Sequence, residues 1–358
     1  MTKIKKHIEI VSSSKSSLSS MSKRSRDSVL EVLSKHYTDV EITLVDNIFD
    51  LKALVERKPD LVFLGMKYIP LDPAKGFHDV DKIWISQYLD EHNIAYTGSA
   101  QRAHELEYDK PVAKQYALEA GLKTSPYFVA VQNQPLVESD ILLEYPLFIK
   151  PTDRGGGTGI DSDSIAHNFA QVQSKVNSIT AKIHSDSLIE EYLPGREISV
   201  AILKNYQSDD YFVMPIERIV PADEDGIRML SIEMKHADAG LSVKVDDVEL
   251  RESVSALALD VFHALGARDL GRIDTRLDKD GIPHFLEANL IPSLVDGYGN
   301  FPKSCKLNID MNHEQMILSI VDLALAHETT ANIDLVLQNE ISLSGTTTQE
   351  AIFEPEPV

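Results

Sequence analysis

The sequence has little cysteine and little positive charge, and each shortage excludes a class of function. Cys305 is the only cysteine among 358 residues, which excludes an internal disulfide and a thiolate metal cluster and favours a reducing compartment. Only 35 Lys and Arg stand against 56 Asp and Glu, and the net charge of -21 argues against a general nucleic-acid or anionic-membrane surface. Any anionic ligand is therefore expected to be held by a local group of cations.

The sequence also lacks long apolar stretches. No run approaches the length of a membrane span, and the N-terminal residues include lysines and serines but no apolar signal core. We therefore expect a cytoplasmic protein with no membrane or nucleic-acid partner. Apolar residues are nevertheless plentiful, at 43% of the chain, which is enough for two or three domains with sizeable cores.

Strand and helix patterns alternate over the first part of the chain. Residues 7–11, 40–45 and 61–65 read as strands, and helical patterns lie between them. This order predicts a small parallel sheet, and ligands of such sheets gather at the carboxyl ends of the strands.

Two loops follow strands of this predicted sheet. The Ser/Lys-rich stretch 12–26 either holds an anionic substrate group or is a solvated loop, and both interpretations stay open. The loop 65–81 lies on the expected substrate side and contains His78 and Asp79. A lone His-Asp pair in a loop is more often structural than catalytic.

A domain edge is predicted at the YTGS turn, near residue 99. Asp109 followed by Lys110 and Pro111 is a helix start with Asp109 as N-cap, and the helix should end at Gly121. A lysine at a helix N-terminus opposes the helix dipole, so an anionic partner would explain Lys110. An exposed lysine pointing into water is the alternative.

A strand with a lysine then precedes a glycine-rich loop. The strand is LFIKP, which carries Lys150, and the loop is DRGGGTGI at residues 153–160. Backbone N–H groups of such a loop can wrap phosphate oxygens. The loop matches neither a Walker motif nor the dinucleotide fingerprint. A strand lysine combined with a mobile glycine lid is still a general arrangement for binding a nucleotide.

The segment LIEEYLPGREISVAIL reads as a strand, a Pro-Gly turn and a second strand. Glu190 and Glu191 begin a linker-like piece, and the backbone at Tyr192 and Leu193 is available to an adenine edge. Glu197 is placed to accept a hydrogen bond from a ribose hydroxyl. Taken singly, each glutamate is better explained as a solvated surface residue of an acidic protein.

The stretch GRIDTRLDKDGIPHFLEAN, residues 271–289, predicts a β-hairpin with its turn at DKDG. In the simplest register Asp274 lies near Glu287 and Asn289, without an obvious cationic partner, although Arg272 stands close by. Three oxygen donors placed together suit a hard divalent cation such as Mg²⁺. For this stretch alone, an ordinary solvated hairpin is favoured.

The ordered series of these motifs resembles the ATP-grasp enzymes, and within them the D-alanine:D-alanine ligase family. The resemblance rests on YTGS, the DK pair, LFIKP, EEYLPGREISVAIL, GRID and LEAN, and it is clear from about residue 96 to residue 292. It implies an α/β (α+β) chain in which an ATP-grasp fold is preceded by a small Rossmann-like parallel-sheet domain.

We accordingly predict four segments. Residues 1–98 would form the N-terminal substrate domain that precedes the ATP-grasp fold, and residues 99–187 the central subdomain with the glycine-rich lid. Residues 188–328 would form the C-terminal subdomain with the Mg²⁺ site. Residues 329–358 are a polar, acidic tail that is expected to be disordered.

The resemblance also implies a role for each site residue. Arg272 and Lys235 would be catalytic, Arg272 by steadying the intermediate and Lys235 by approaching the γ-phosphate. Two Mg²⁺ ions, with Mn²⁺ as an alternative, would be held by Asp274, Glu287 and Asn289. The ATP-binding residues would be Lys110, Lys150, Gly155, Gly156, Gly157, Thr158, Glu190, Glu191, Tyr192, Leu193, Glu197 and Lys235.

The implied activity is ATP-dependent ligation of a small-molecule carboxylate to an amine, through an acyl phosphate, with a homodimer as the expected assembly. Departures from the family pattern fall at its amino-acid positions. The family's N-terminal glutamate is missing from residues 12–26, its histidine becomes Met66 or Lys67, and a serine of its glycine loop becomes Gly156 or Gly157.

Three further positions concern the same part of the site. A family tyrosine is His236 here, and the family's Asn-x-x-Pro-Gly ends as Pro292-Ser293, so His236, Pro292 and Ser293 would contact the substrate. We therefore expect other amino-acid or peptide-like substrates. The alternatives are a genuine D-alanine–D-alanine ligase of peptidoglycan synthesis, an ATP-grasp small-molecule kinase and a non-catalytic nucleotide-binding protein.

Overall fold

The computed structural model describes residues 2–72, 74–75, 81–222, 226–229 and 241–327. Within them the chain forms three sheets of three or more strands, one short two-stranded sheet, and the helices that pack on them. No helix in the described part is long and apolar enough to cross a membrane. His78, Asp79, Lys235 and His236 lie outside the described residues, as does the predicted acidic tail.

The N-terminal sheet contains three parallel strands in the order β2-β1-β3. The last five residues of β1 are all buried, which is the pattern of a strand covered on both faces. This confirms the predicted small parallel sheet. Its strands are β1 (Ile4–Ser12), β2 (Tyr37–Leu44) and β3 (Leu61–Leu64), connected by α1 (Lys23–His36) and α2 (Ile48–Glu56).

Short elements lead from this sheet to the rest of the chain. They are β4 (Tyr68–Pro70), β5 (Lys82–Trp84), α3 (Ile85–Glu91), α4 (Gln101–Tyr108) and α5 (Lys110–Glu119). The α5 start is as predicted: Asp109 is the N-cap, its side chain accepts from the Val112 N–H, and a proline stands in the first turn.

A four-stranded antiparallel sheet follows, in the order β6-β9-β7-β8, with α6 packed on it. Its elements are β6 (Tyr127–Ala130), β7 (Leu147–Pro151), β8 (Ile165–Ala166), α6 (Phe169–Ile183) and β9 (Ser187–Glu191). The predicted segment boundary between residues 187 and 188 falls inside β9, after its first residue. The boundary itself stays a prediction.

The largest sheet is antiparallel, with the order β12-β11-β10-β13-β14. The strands β13 and β14 are the predicted hairpin. The elements are β10 (Glu197–Lys204), β11 (Tyr211–Ile219), β12 (Leu241–Lys244), α7 (Val248–Ala264), β13 (Leu270–Leu277), β14 (Pro283–Asn289), α8 (Asn300–Ile309) and a helix over residues 313–327, here called α9.

The two faces of the largest sheet are covered differently, because side chains alternate along a strand. Val200 and Ile202 of β10 share a core with α7, whereas Ala201 and Leu203 share another core with α8 and α9. Further along the second face, β10 carries Glu197 and Ser199 in place of apolar residues. The polar end of this face is where the candidate site lies.

Candidate active site

The hairpin brings the three predicted metal ligands to one place. Asp274 on β13 lies directly opposite Glu287 on β14, and Arg272 lies opposite Asn289. From the neighbouring strand, the Ser199 Oγ donates a hydrogen bond of 2.5 Å to Asp274 Oδ1. The oxygen donors therefore form one group on the polar end of the sheet.

Arg272 is more than a neighbour of this group. Its Nε and Nη2 lie 2.9 and 2.7 Å from the two oxygens of Asp274. Burial alone would raise the pKa of Asp274, but the guanidinium of Arg272 holds it below its ordinary value. The expectation that these acceptors lie without a cationic partner is thus wrong for Asp274. The reason is that residues two apart on one strand point to the same side.

The remaining donors fit a divalent cation. Among the described residues, neither the Glu287 carboxylate nor the Asn289 side chain has a hydrogen-bond or ion-pair partner. An ionised carboxylate offers about four lone-pair sites, so Asp274 keeps acceptor capacity beside Arg272 and Ser199. Carboxylate and amide oxygens are the ligands that Mg²⁺ and Mn²⁺ prefer.

Glu190 is the electrostatic centre of the adjoining part of the site. Its Oε1 lies 2.5 Å from the Lys114 Nζ, and its Oε2 lies 2.7 Å from the Lys150 Nζ. The residue is only 2% exposed, so the interpretation of Glu190 as a solvated surface residue is wrong. Two lysines around one carboxylate leave a surplus positive charge at Lys150, where an anion can be bound.

Lys110 extends this positive region to the glycine loop. Its backbone N–H donates to the Thr152 carbonyl, and its ammonium donates to the Arg154 carbonyl at the loop start. Burial lowers the pKa of Lys110 to about 8, and the charge of Glu287 only partly offsets that effect. Lys110 is therefore buried, and the alternative of an exposed lysine that points into water is wrong.

The glycine-rich loop has backbone conformations that require glycine. Gly156, Gly157 and Gly159 have φ values of 68°, 89° and 78°. A Cβ on Gly155 or Gly156 would meet no atom within 4 Å, so these two glycines border open space. Thr158 is exposed in the same loop. The loop thus has the room expected of a lid.

Beyond Glu190 the chain leaves β9 through the predicted linker. The Glu191 carbonyl accepts a 2.7 Å hydrogen bond from Ser125, and the Tyr192 N–H is already bonded to the Pro146 carbonyl at 3.0 Å. The Tyr192 N–H is therefore not available to an adenine edge, whereas Leu193 has no such backbone bond among the described residues. Glu197 follows at the start of β10.

One cleft joins these two halves of the site. Its walls include Lys150, Glu190 and Leu193 on one side and Asp274 and Glu287 on the other. Phosphate-binding cations and oxygen donors for a metal ion thus face the same space. This arrangement can bind a charged polyphosphate and polarise its far end.

The positions after the hairpin also approach the N-terminal sheet. Pro292 is buried, Ser293 is half-buried, and the next N–H, that of Leu294, donates to the Ser25 Oγ on α1. The Ser/Lys-rich stretch 12–26 leads into α1 and includes its first four residues. Its Ser13 and Ser14 bind Asp46 through their hydroxyls, each at 2.5 Å, so a carboxylate lies beneath this loop.

Two groups near the site were not foreseen. Lys114 stands one helical turn after Lys110, and that spacing is the signal that could have identified it. The second group is Glu107, which is ion-paired to Lys67 at 2.7 Å and accepts the Leu290 N–H at 3.0 Å. Nothing in the sequence relates Lys67 to Glu107, because they are forty positions apart and meet only in the fold.

Comparisons with known proteins agree with this geometry. Residues 119–322 match the family model described as D-ala D-ala ligase C-terminus. A D-alanine--D-alanine ligase of Gloeobacter violaceus is 31% identical over 294 residues, which are 80% of this chain and 89% of that protein. The uncharacterized protein y4sG of Sinorhizobium fredii is 30% identical over 59% of this chain, and the chain spans 61% of its length.

Solved structures agree as well. The D-alanine--D-alanine ligase of Bacillus anthracis complexed with ATP superposes with a TM-score of 0.70 at 20% identity, covering 91% of this chain and 99% of that one. At this identity the likeness establishes the fold alone. With the family model covering more than half of the sequence, the chain belongs to the D-alanine–D-alanine ligase family and has its ATP-grasp fold.

Proposed function

We propose that the protein is an ATP-dependent carboxylate–amine ligase that forms an amide bond and releases ADP and phosphate, on amino-acid or peptide-like substrates other than two D-alanines. The main support for this proposal is that Lys150 and Glu190 line the same cleft as Asp274 and Glu287. Membership of the ligase family supports the reaction class.

The reaction follows from the weakness of a carboxylate as an electrophile. A substrate carboxylate oxygen attacks the γ-phosphorus of ATP, the bond to the bridging oxygen breaks, and ADP leaves. The amine of the second substrate then attacks the carbonyl carbon of the acyl phosphate. Phosphate departs with the electron pair of the C–O bond, and the nitrogen loses a proton. The net result is one amide bond for one ATP hydrolysed.

Each part of the chain has a task in this sequence of steps. Lys110 and Lys150 would bind the phosphates, and the glycine loop would close over them and exclude water from the acyl phosphate. Arg272 would steady the charge of the transferring group. Lys235, outside the described residues, is proposed to approach the γ-phosphate.

The nucleotide's other end would lie along β9 and the start of β10. Leu193 and Glu191 would contact the adenine, and Glu197 the ribose. Asp274, Glu287 and Asn289 would hold two Mg²⁺ ions, or Mn²⁺ in their place. When bound, these ions offset the charge that develops in phosphoryl transfer.

The proposal of other substrates rests on the amino-acid side of the site. There a cation, Lys67, is paired with Glu107, whose carboxylate also holds the Leu290 backbone just before Pro292. Serines of the N-terminal loop bind Asp46, which lies beneath that loop. The loop 12–26 lacks the glutamate, and Met66 or Lys67 replaces the histidine, that the resemblance leads us to expect, whereas the ATP and metal positions keep the family's residues.

The test is a phosphate-release screen over pairs of D- and L-amino acids with Mg²⁺-ATP, followed by mass spectrometry of the products. We expect release with a pair other than two D-alanines, and a product lighter than the two substrates by one water. Activity with D-alanine alone would establish the genuine D-alanine–D-alanine ligase, as the Gloeobacter relative is named. A phosphorylated product formed without an amine would establish a kinase.

The metal assignment has its own test. Glu287→Ala should abolish any activity found in the screen, because the Glu287 carboxylate, which has no hydrogen-bond or ion-pair partner among the described residues, is proposed to bind the metal. Glu252→Ala, on the outer surface of α7, serves as the control and should keep full activity. Persistent activity of Glu287→Ala would refute the assignment.

A further inference from the structure

A second pocket opens at the ends of β10 and β11, beside the nucleotide cleft. Its lining includes four arginines and two glutamates. The surplus of guanidinium groups is unusual in a chain whose net charge is -21. The charged residues are Arg196, Arg218, Arg228, Arg276, Glu197 and Glu217.

Strand register places two of the arginines around Glu197. On β11, Arg218 lies directly opposite Glu197, and on β13, Arg276 lies opposite it from the other side. Residues in one row across a sheet project from the same face. Arg218, Glu197 and Arg276 therefore form a continuous charged row, and it lies on the face that carries Ser199 and Asp274.

The two glutamates do not compensate the four arginines. Glu197 is paired with Arg276 at 3.5 Å, and Glu217 is paired with Arg196. Arg218 makes no ion pair or side-chain hydrogen bond with any described residue, and its Nε is buried without a partner. Among the described residues, the guanidinium of Arg228 donates only to the Val220 carbonyl, at 2.8 Å. Neither guanidinium is therefore ion-paired with a carboxylate in the described structure, although the charge of Arg218 also acts on Asp274.

Arg276 is a buried side chain in the wall of this pocket, and its position is fixed by hydrogen bonds. It is 8% exposed, and its Nη2 donates to the Tyr192 hydroxyl at 2.8 Å and to the Arg228 carbonyl at 2.7 Å. These bonds hold the guanidinium in place, yet its Nε stays buried without a partner. A buried donor left unsatisfied costs stability, which a bound acceptor would recover.

The position of the pocket limits what it can bind. It shares Glu197 and Arg276 with the nucleotide cleft. Seen from the pocket, the row that contains Ser199 and the proposed metal ligand Asp274 lies beyond Glu197 along β10 and β13. Arg272 lies one row further in the same direction. A carboxylate substrate, which must reach the γ-phosphate, would therefore lie at the opposite end. The pocket adjoins the place of the ribose.

We propose that this pocket binds a phosphate group beside the ribose of the nucleotide. Two uncompensated guanidinium groups match the charge of a phosphate dianion, and their planar forks match its oxygens. The phosphate comes either from solution, as a free anion, or from the nucleotide itself, as a ribose phosphate. The location beside the ribose rests on the proposed function, whereas the anion site does not.

The experiment measures binding by isothermal titration calorimetry to the full chain without ATP. The first probe is inorganic phosphate, with acetate at matched ionic strength for comparison. The second pair of probes is adenosine 5′-monophosphate and adenosine 2′,5′-bisphosphate. The variants are Arg218→Met, the charge-preserving Arg218→Lys, Lys150→Met, and the control Arg102→Met, which removes a guanidinium that pairs with Glu105 on α4.

If the anion is free, inorganic phosphate binds better than acetate, Arg218→Met weakens phosphate binding about tenfold or more, and Arg102→Met does not. If it is carried by the nucleotide, the bisphosphate binds at least about tenfold better than the monophosphate, and Arg218→Met removes that preference. Arg218→Lys should recover part of either effect.

The proposal is overturned if the wild type prefers neither phosphate to acetate nor the bisphosphate to the monophosphate. It is also overturned if Arg218→Met changes neither preference, or if Lys150→Met alone removes phosphate binding. Failure of the proposed function would look different, because neither adenosine nucleotide would then bind, whatever the result with inorganic phosphate.

Discussion

At the scale of single residues, the cations of this acidic chain matter through what they are paired with. Lys150 is ion-paired with Glu190. If Lys150 were the sole partner of this carboxylate, its charge would be neutralised and it would attract phosphate only weakly. Lys114 changes this balance, because it is fully buried against the same carboxylate and also donates to Thr124 at 2.6 Å. Lys114 would thus act on the proposed nucleotide site through Glu190.

We predict that Lys114→Met weakens ATP binding and also destabilises the fold. Glu190 would then depend on Lys150 alone, and removing one partner of a buried ion pair costs about 3 kcal/mol. Urea unfolding and titration with a non-hydrolysable ATP analogue measure the two effects. Lys35→Met, which removes an exposed lysine paired with Glu31, should change neither. Unchanged ATP binding in a folded Lys114→Met protein would refute the role given to Lys114.

Lys110 makes nucleotide binding dependent on pH. Its pKa of about 8 in the free protein means that its ammonium is charged below pH 8 and increasingly neutral above it. We expect the affinity for ATP to fall as the pH rises from 7 to 9, because only the charged form attracts phosphate. Lys110→Met should bind more weakly at pH 7 and show a flatter pH profile. A wild-type affinity that is constant over this range would contradict the prediction.

At the scale of elements, the strand β10 explains why the site lies where it does. One of its faces is apolar from Ile198 through Val200 to Ile202, which lie in the core under α7. The other face changes from Leu203 and Ala201 to Ser199 and Glu197 along the strand. The polar half cannot be covered by a helix without burying unpaired groups, so it is left to face a ligand.

The glycine loop contains two kinds of glycine. A Cβ on Gly159 would lie 2.7 Å from the Pro151 Cγ, and its φ is +78°, whereas a Cβ on Gly155 meets nothing within 4 Å. We predict that Gly159→Ala lowers the free energy of unfolding by about 1–3 kcal/mol and weakens ATP binding. Gly155→Ala is the matched control, and both measurements should stay near wild type. Equal effects of the two substitutions would show that the close approach to Pro151 does not matter.

At the scale of the whole molecule, the N-terminal sheet and the large sheet share one apolar core. Ile8 of β1 and Leu33 of α1 belong to the same buried cluster as Leu203 of β10 and Phe301 of α8. A polar bridge lies beside the site as well, from Lys67 through Glu107 to the Leu290 N–H. The parts that would hold the substrates are therefore connected by both packing and charge.

Glu107 makes this connection sensitive to acid. Burial alone would raise its pKa, but the ammonium of Lys67 and the side chain of His104 hold it at about 2, below its ordinary value of 4.5. A depressed carboxyl pKa contributes stability that is present in full above pH 4.5 and lost as the pH falls toward 2.

We predict that Glu107→Gln is less stable than the wild type at pH 6 by about 3 kcal/mol, because a buried ion pair is broken. Urea unfolding at several pH values should show the difference shrinking below pH 4.5, as the wild type loses its advantage. Glu105→Gln, on the same helix but paired with the exposed Arg102, is the control and should show a small and constant difference. A difference for Glu107→Gln that does not change with pH would contradict this account.

Local patterns in the sequence were enough for the elements that carry the site. The Asp109 cap, the LFIKP strand and the hairpin at residues 271–289 are all found as predicted, because capping, strand alternation and turn residues act over a few positions. The family motifs added the order of the site residues. The roles of all the site residues stay predictions, and Lys235 and His236 also lie outside the described residues.

The sequence by itself therefore determined the family and the strands that carry the candidate site, and it predicted the residues of the nucleotide cleft, whose roles stay predictions. Only the tertiary structure decided how the charges are paired: Lys114 with Glu190, Lys67 with Glu107, and Arg218 beside Glu197 with no ion pair to any residue that the structure describes. The physical reason is distance dependence. An ion pair or a buried unsatisfied donor is defined within a few ångströms, and residues far apart in sequence reach that range only through strand register and packing.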